Sequence, residues 1–165
     1  MIRKAIGGIT SAPLLEPRDW CSLTLYCSHT WEKGARGTDG RIYPWGNQWD
    51  ATRCNSEGSG LYRTTSVDAY PQGASPHGVL DMAGNMWEWT RSLWGRSQDR
   101  PNYGYPYNAT DGRENLAAGH EVLRVLRGGA FFHAHRRVRC AFRDRLIPYY
   151  RNELIGFRVV VLPCR

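Results

Sequence analysis

Residues 124–161 decide how this chain can fold, and they read RVLRGGAFFHAHRRVRCAFRDRLIPYYRNELIGFRVVV. Both ends are regular, since apolar and β-branched residues alternate with arginine beside Gly-Gly or Gly-Phe. These ends predict short strands at 122–127 and 157–162. The stretch between them instead holds aromatic residues, two histidines, many arginines and one cysteine. That composition suits an active site, a nucleic-acid-binding surface, or a surface whose side chains can vary.

The positive charge of the chain is concentrated in the same stretch. The formal net charge is +7, and residues 124–158 contain nine arginines against Asp144 and Glu153, so the rest of the chain is balanced. Only Lys4 and Lys33 are lysines. The planar guanidinium suits fixed hydrogen bonds to carboxylates and carbonyls, whereas solvated binding patches often use lysine as well. We therefore expect many of these arginines to brace the fold, and do not expect nucleic acid as a partner.

Further outward, the composition predicts one domain rich in loops. A chain of 165 residues suits a single core, and its 18 Gly, 9 Pro, 7 Trp and 9 Tyr are typical of irregular backbone packed by large aromatics. A helix is expected from about Asp19 to a stop at Gly34 or Gly37. A strand is expected at the Trp-Glu-Trp of residues 87–89, and a long polar loop at 95–120.

Cysteine usage and hydropathy bear on the compartment. The 5 cysteines form no CxxC pair and no zinc-ligand spacing, and their odd number leaves at least one thiol free or bridged to another chain. No stretch is apolar enough to span a membrane, and residues 1–12 lack the sustained apolar core of a signal peptide. We therefore expect a cytoplasmic protein without a membrane span.

Seven blocks of sequence resemble, in order and spacing, the formylglycine-generating enzyme (sulfatase-modifying factor) family. They are WEKGARG, RIYPWGNQWD, CN, SVDAYPQGASPHGVLDMAGNMWEW, RVLRGG, VRCAFRDR and GFRVV. The resemblance implies an α+β fold of the C-type lectin type, loop-rich with a small antiparallel sheet. It implies a domain at 31–165 after a poorly defined segment at 1–30, which could supply one helix of the domain. In that segment, CSLTLYCSHTWE replaces the longer helical stretch of the family.

The catalytic residues of the family do not align with matching residues here. The family's oxidase uses two cysteines, which follow a Gly-Gly-Ser, to bind copper and engage a substrate cysteine. The resemblance places Ala130 at that serine and His133 at the first cysteine, and the segment with the second cysteine is missing. Cys140 falls at a structural position whose disulfide partner would lie near Ala35. We therefore expect no copper and no catalysis; a formylglycine-generating oxidase acting on a sulfatase cysteine stays the alternative.

A second alternative is a metal pair formed by His133 and His135. Alternation along a strand would place both rings on one face, an arrangement that metals use. No carboxylate or third histidine is near in sequence, because His77 and His120 are remote. Two surface histidines are therefore the favoured interpretation.

Residues 124–160 are most similar to the variable-protein branch of this family, which is diversified by retroelements. Its framework positions are all present: Arg124 to Gly129, Val138-Arg139, Arg143, Arg145, Pro148, Arg151 and Gly156-Phe157-Arg158. The positions between them hold residue types that adenine-directed mutation of an Asn codon can produce, although Glu153 has another origin and an undiversified domain stays possible. The resemblance implies a recognition face over about 131–154. Its predicted residues are Phe132, His133, Ala134, Arg136, Arg137, Phe142, Asp144, Leu146, Ile147, Tyr149, Tyr150 and Leu154.

The chemistry of this face favours a protein ligand over a sugar, because aromatic residues and arginine dominate interface hot spots. Phe131 occupies an aromatic framework position and is expected to pack inside. Four arginines are expected to act as braces in partly buried sites, namely Arg127, Arg139, Arg143 and Arg158.

The segment DMAGNMWEW, residues 81–89, resembles a calcium-binding segment of the family. Carried over by position, Asp81 and Glu88 would give carboxylate oxygens, and Gly84 and Met86 would give backbone carbonyls, a mixture that calcium uses. The alternative is that Glu88 pairs with a framework arginine and Asp81 caps a turn without a metal. The family's second calcium site is expected to be impaired, since Ser59 stands where an aspartate is expected.

Overall fold

A computed structural model describes residues 24–160. The predictions for residues 1–12, for Cys21 and Cys164, and for the ends of the expected first helix and last strand lie outside the described residues. Within them, no helix is both long and apolar enough to cross a membrane. The elements are β1 (Thr24–Leu25), α1 (Ser28–Arg36), β2 (Trp87–Gly95), β3 (Leu123–Arg127), β4 (Asp144–Leu146), β5 (Ile155–Phe157) and β6 (Val159–Val160), with short 3₁₀ helices at Ala51–Arg53, Glu57–Ser59 and Pro71–Gly73.

Helix α1 is shorter at its start than the sequence predicts. Strand β1 occupies Thr24–Leu25, so the expectation of helix from about Asp19 is wrong for these residues. The helix begins after Cys27, whose sulfur accepts a hydrogen bond from the Thr30 amide. It ends at Gly37, the later of the two expected stops, where a positive φ of 67° lets the Gly37 amide donate to the Lys33 carbonyl.

The central sheet has four strands in the order β4-β3-β2-β5. Its β2–β3 and β3–β4 pairs are antiparallel, as expected, while β5 adds to β2 in parallel, so the sheet is mixed. The register places Glu88 beside Arg127 on one side and beside Gly156 on the other. A separate antiparallel pair joins β1 to β6. The predicted strands at 87–89 and 122–127 are confirmed, and the fold is the expected α+β, loop-rich one.

The core lies on both faces of β2, because nearly every residue of this strand is buried. Trp87 and Trp89 pack with Leu126, Ala130 and Val159. On the α1 side, the Trp31 indole nitrogen donates to Glu88 Oε2 at 2.7 Å. Burying several large aromatics in this way gives a small irregular fold much of its apolar stabilisation.

Buried arginines tie these layers together. Arg127 is fully buried and donates to Ser28 and Glu32 of α1, to the Tyr105 hydroxyl, and to the carbonyls of Cys140 and Phe142. Burial alone would raise the pKa of Glu32, but the positive charge of Arg127, with hydrogen bonds from Tyr105 and Arg127, lowers it. The side chain at the end of β3 therefore holds the helix, the sheet and two loops in one arrangement.

Arg158 plays the matching role beyond β5. Its guanidinium donates to both carboxylate oxygens of Glu88, at 3.0 and 2.9 Å, and to the carbonyls of Leu80 and Asp81. A planar fork that meets a carboxylate through two parallel bonds fixes direction as well as distance. The turn that precedes β2 is thereby fastened to the residue that links β5 to β6.

Candidate functional site

The segment between β3 and β4 leaves the sheet through a close crossing of two backbones. Gly128 and Gly129 have φ angles of 95° and 78°, and a Cβ added to Gly129 would lie 2.7 Å from Val138 Cγ1. Val138 and Cys140 are fully buried, and the Cys140 amide donates to the Ile42 carbonyl at 2.9 Å. Residues 130–140 are therefore a chain of turns whose base is fixed by glycine, valine and cysteine.

Half of the predicted recognition face is exposed in the structure. Phe132 is 41%, Tyr149 64% and Tyr150 45% exposed. Ala134, Arg136 and Arg137 are exposed as well. We call these six residues the exposed set: Phe132, Ala134, Arg136, Arg137, Tyr149 and Tyr150. Phe131, which the sequence assigns to the framework, is buried as predicted.

Five further residues of the predicted face are half-buried rather than displayed, namely Phe142, Asp144, Leu146, Ile147 and Leu154. The Phe142 ring lies 6.0 Å from that of Trp87, and Leu146 and Leu154 pack against the same cluster. The expectation that these side chains point outward is therefore wrong in part. Asp144 and Leu146 lie on β4, and the other three residues lie close to β4 or β5 in the chain. One side of each residue is therefore covered by the packed sheet.

The expectation that His133 is displayed is wrong, because its side chain is only 8% exposed. Nδ1 accepts a hydrogen bond from the Ala130 amide at 3.1 Å, and the ring lies edge-on to Trp87 at 5.1 Å. Burial, with the nearby positive charge of Arg137, lowers the pKa of His133 from 6.5 to about 4. A neutral imidazole thus closes the turn by bonding to the backbone.

The two histidines do not form the pair that strand alternation would give. Residues 131–137 form turns, so the ring of His133 contacts Trp87 while that of exposed His135 contacts Trp49 at 5.7 Å. Within residues 24–160, no cluster of three or more His, Cys, Asp or Glu side chains is arranged to hold a metal ion. His133 therefore stabilises the turn from inside, and His135 lies on the surface beside Trp49.

Three of the four predicted arginine braces occupy bracing positions. Arg127 and Arg158 are buried and hydrogen-bonded. Arg143 lies over the Trp94 ring at 5.0 Å and donates to the Tyr103 carbonyl. Arg139 is exposed, and among the described residues its side chain donates only to the Arg136 carbonyl, so its prediction as a partly buried brace is wrong. Of these four arginines, three therefore stabilise the fold and one lies on the surface.

The thiol of this segment, that of Cys140, belongs to a residue of the core. Ala130 is fully buried at the position of the family's serine. Cys140 packs beside Ala35, as the resemblance implies for the missing disulfide, and it is unpaired. Burial raises the pKa of the Cys140 thiol to about 12. Because copper(I) binding and thiol exchange both need a thiolate, this cysteine is poorly suited to either.

The predicted calcium ligands fit a calcium ion poorly as a set. Both oxygens of Glu88 are engaged, by the Arg158 guanidinium and the Trp31 indole, so a cation already lies on this carboxylate. The carbonyl of Gly84 accepts the Met86 amide, and Asp81 accepts a hydrogen bond from Asn85 at 3.0 Å. This geometry favours the alternative ion pair between Glu88 and a framework arginine. Calcium binding stays a prediction, which the melting temperature with calcium or a chelator would test.

One feature beside the segment escaped the sequence prediction. The rings of Tyr43 and Trp45 stack at 5.4 Å, and Trp49 tilts against both at 5.2 and 6.0 Å. We call Trp45 and Trp49 the tryptophan shelf. The His135 ring rests on Trp49, so the shelf lies next to the exposed set. The two tryptophans in YPWGNQW, residues 43–49, indicate an aromatic cluster. The sequence does not indicate which other part of the chain these rings contact.

Comparison with known proteins identifies the family that this chain resembles. The family model described as the sulfatase-modifying factor enzyme 1-like domain matches residues 19–162. The formylglycine-generating enzyme of Mus musculus and the inactive C-alpha-formylglycine-generating enzyme 2 of Bos taurus are each 28% identical to this chain and cover 84% of it. The chain spans 39% and 44% of those two proteins.

Among solved structures, variable protein 1 of Treponema denticola superposes with a TM-score of 0.60 at 24% identity. The match covers 83% of this chain and 46% of that one. At this identity, the likeness shows a shared fold.

Proposed function

This chain belongs to the sulfatase-modifying factor enzyme 1-like family, and we propose that within it the chain is a non-enzymatic ligand-binding protein. Its recognition surface would lie within residues 131–154, presented by a frame of the C-type lectin type. We further propose that the chain is a variable protein of a diversity-generating retroelement, so that its surface side chains differ between copies while the frame stays constant.

The observation that carries the proposal is the division of residues 124–158 into buried frame and exposed set. The frame residues Arg124 to Gly129, Val138 and Arg158 are buried, whereas the six residues of the exposed set lie in the two stretches between them. Surface substitutions usually change the free energy of unfolding little, and loops on a rigid scaffold commonly carry binding residues. A surface of this kind can exchange side chains without loss of the fold.

Sequence identity to the relatives does not indicate whether this chain is catalytic, because it is 28% both to a formylglycine-generating enzyme and to an inactive one. The question therefore depends on individual residues. Here the residues argue against the oxidase. Ala130 has no hydroxyl, His133 is buried against Trp87, and the Cys140 thiol has its pKa raised to about 12. None of these three offers the accessible thiolate that copper(I) and a substrate cysteine require. The fold shared with a variable protein supports binding as the role.

The exposed set also supports a protein as the ligand. It contains one phenylalanine, two tyrosines and two arginines, the residue types that contribute most at interface hot spots. Tyrosine and arginine combine apolar area with hydrogen-bond donors, so they suit a protein surface of mixed polarity.

A paired assay tests the proposal against the oxidase. The purified chain is expected to take up no stoichiometric copper(I) and to form no aldehyde on a peptide that contains Cys-x-Pro-x-Arg. Aldehyde formation that depends on copper and disappears in Cys140→Ala would contradict the proposal.

Binding is tested by capture from an extract of the encoding organism, followed by measurement of affinity with the purified captured protein. Wild type and Arg96→Ala should bind alike, since Arg96 is exposed and pairs with Glu121 outside the 131–154 segment. A variant with the exposed set changed to asparagine should lose the ligand. Equal affinity of all three proteins would place recognition elsewhere.

A further inference from the structure

The tryptophan shelf lies outside the predicted recognition face, yet it borders that face directly. Trp49 contacts the His135 ring, and both tryptophans pack with Tyr43 around Val138, the buried residue of the same turn segment. A second link joins the segment to the 3₁₀ helix Glu57–Ser59, since the Glu57 amide donates to the His133 carbonyl at 3.2 Å. The surface of residues 132–137 therefore continues onto the loop that holds Trp45 and Trp49.

The loop that carries the shelf is rigidly held. Tyr43 and Gly46 exchange backbone hydrogen bonds at 2.9 and 3.1 Å. The side chain of Asn47 accepts from the Ile42 amide at 3.0 Å, and the Ile42 carbonyl accepts from Cys140. A surface that is fixed before binding loses less conformational entropy on association. The shelf is thus a preorganised element rather than one that must order on contact.

Trp49 presents a free hydrogen-bond donor. The indole nitrogen of Trp45 donates to the Gln48 carbonyl at 3.0 Å, while that of Trp49 has no partner among the described residues and is absent from their buried unpaired atoms. Both rings are half-buried, so one side packs on the core and the other meets solvent. A tryptophan with an apolar face and a free N–H is the side chain most often found at interface hot spots.

The charges around the shelf indicate the sign of the partner. Arg136, Arg137 and Arg139 are exposed immediately after His135. Arg136 has no side-chain hydrogen bond or ion pair among the described residues, and Arg137 approaches a carboxylate, that of Asp144, only at 3.7 Å. Their charges remain available to a ligand, so an acidic partner is favoured by electrostatic complementarity.

Carboxylates interspersed among these arginines distinguish a protein from a nucleic acid. Asp144 is half-exposed and lies 3.7 Å from Arg137, and the exposed residue Glu57 donates its amide to the His133 carbonyl. A continuous phosphate backbone would meet these negative groups, whereas an acidic protein segment can place its own charges between them. Phe132, whose exposed ring lies 4.1 Å from that of His133, adds apolar area to the same region.

We propose that Trp45 and Trp49 are a constant anchor of the recognition surface, and that its partner is an acidic protein segment. The segment would place an apolar or aromatic side chain on Trp49, accept a hydrogen bond from the Trp49 indole, and pair carboxylates with Arg136 and Arg139. This inference rests on the proposed ligand-binding function and adds to it a fixed contact and a partner chemistry. Substitution of the exposed set, which includes Arg136, then changes the partner while the tryptophan anchor stays the same.

The probe for this inference is a random copolymer of glutamate and tyrosine, which supplies both acidic and aromatic side chains. Its affinity is measured for wild type, Trp49→Phe, Arg136→Ala and the control Arg96→Ala, after the melting temperature of each has been checked. Trp49→Phe keeps an aromatic ring but removes the indole donor. Both Trp49→Phe and Arg136→Ala should weaken binding about tenfold, which corresponds to about 1.4 kcal/mol, while the control stays within about twofold.

A readout on the wild-type protein does not depend on any variant's affinity. The Trp49 indole N–H resonance, assigned by its loss in Trp49→Phe, should shift progressively as copolymer is added. An unmoved resonance, or a wild type that ignores the copolymer, overturns the inference. So does a single-stranded oligonucleotide of equal charge that binds at least as tightly and shifts the same resonance.

The variants separate failure of the anchor from failure of the proposed function. If Arg136→Ala weakens binding and Trp49→Phe does not, the recognition face stands and the anchor is wrong. If neither variant differs from wild type, the copolymer binds away from residues 131–154, which counts against both.

Discussion

Arg127 and Arg139 show how differently one residue type is used within thirteen positions of sequence. Arg127 lies at the buried end of β3 and donates hydrogen bonds to five partners, while Arg139 lies in an exposed turn and its side chain reaches one carbonyl. Sequence predicts that this stretch needs braces, because arginine outnumbers lysine so strongly. It does not predict which arginine is buried, since that depends on where α1 and the 140–142 loop meet.

Replacement of Arg127 should be far more damaging than replacement of Arg139. Arg127→Ala leaves the Glu32 carboxylate buried without its main partner, which typically costs about 3–5 kcal/mol. Arg139→Ala should change the free energy of unfolding by no more than about 0.5 kcal/mol, as exposed substitutions usually do. Denaturant unfolding of the two variants measures this difference, and similar losses in both would show that the assignment of frame and surface is wrong.

His133 should make the stability of the protein depend on pH in a defined window. Its pKa is lowered from 6.5 to about 4 in the folded state, because burial and Arg137 disfavour the charged ring. Above pH 6.5 the stabilisation is fully present, and it is lost as pH falls from about 6.5 towards about 4, where the unfolded state binds the proton first. Within that window the loss is at most about 1.4 kcal/mol per pH unit.

The matched control is His133→Gln, which cannot titrate in this range. The melting temperature of wild type should fall more steeply than that of His133→Gln between pH 6.5 and 4.5. Parallel profiles, or an NMR titration that gives His133 an ordinary pKa, would contradict the buried neutral ring.

At the scale of elements, β2 is the strand on which the others are assembled. It pairs with β3 and β5 and contributes Trp87 and Trp89 to the core. Its start was predictable from the Trp-Glu-Trp alternation, and β3 from its β-branched and apolar residues. The parallel addition of β5 was not, because a pairing of residues about 68 positions apart leaves no local pattern. The helix start was misplaced because the cap is a cysteine, an uncommon capping residue.

Truncation of Trp87 tests the importance of this strand. Trp87 is buried and contacts both His133 and Phe142, so Trp87→Ala should cost about 3–5 kcal/mol, as large core truncations do. Tyr62→Ala is the matched control, because this aromatic residue lies exposed in a loop. The melting temperature should fall strongly in the first variant alone, and an unchanged value for Trp87→Ala would exclude it from the core.

At the scale of the whole molecule, a few buried polar residues hold a fold that has little regular structure. Two guanidinium groups, those of Arg127 and Arg158, join α1, the sheet and the turn before β2. Their bonds satisfy carbonyls and carboxylates that would otherwise be buried without partners. The exposed set contributes no side-chain hydrogen bond to Arg127 or Arg158, although the Phe132 ring contacts the buried rings of Phe131 and His133.

About half of the candidate site could be predicted from sequence, and the reason lies in how its side chains are oriented. Phe132, Tyr149 and Tyr150 are displayed because turns point them outward, as their places between framework residues suggest. His133 and Phe142 occupy equivalent places between framework residues, yet both contact Trp87. Trp87 is 46 residues before His133 in the chain, and only the folded structure brings them together.

The separation of frame from surface is tested most directly by the melting temperature of one variant in which the whole exposed set becomes asparagine. We expect a change of about 1 kcal/mol in total, because exposed substitutions are individually small and differ in sign. This corresponds to about 2–4 °C in melting temperature for a chain of this size. A fall in melting temperature as large as that of Trp87→Ala would show that the exposed set belongs to the core and that this separation is wrong.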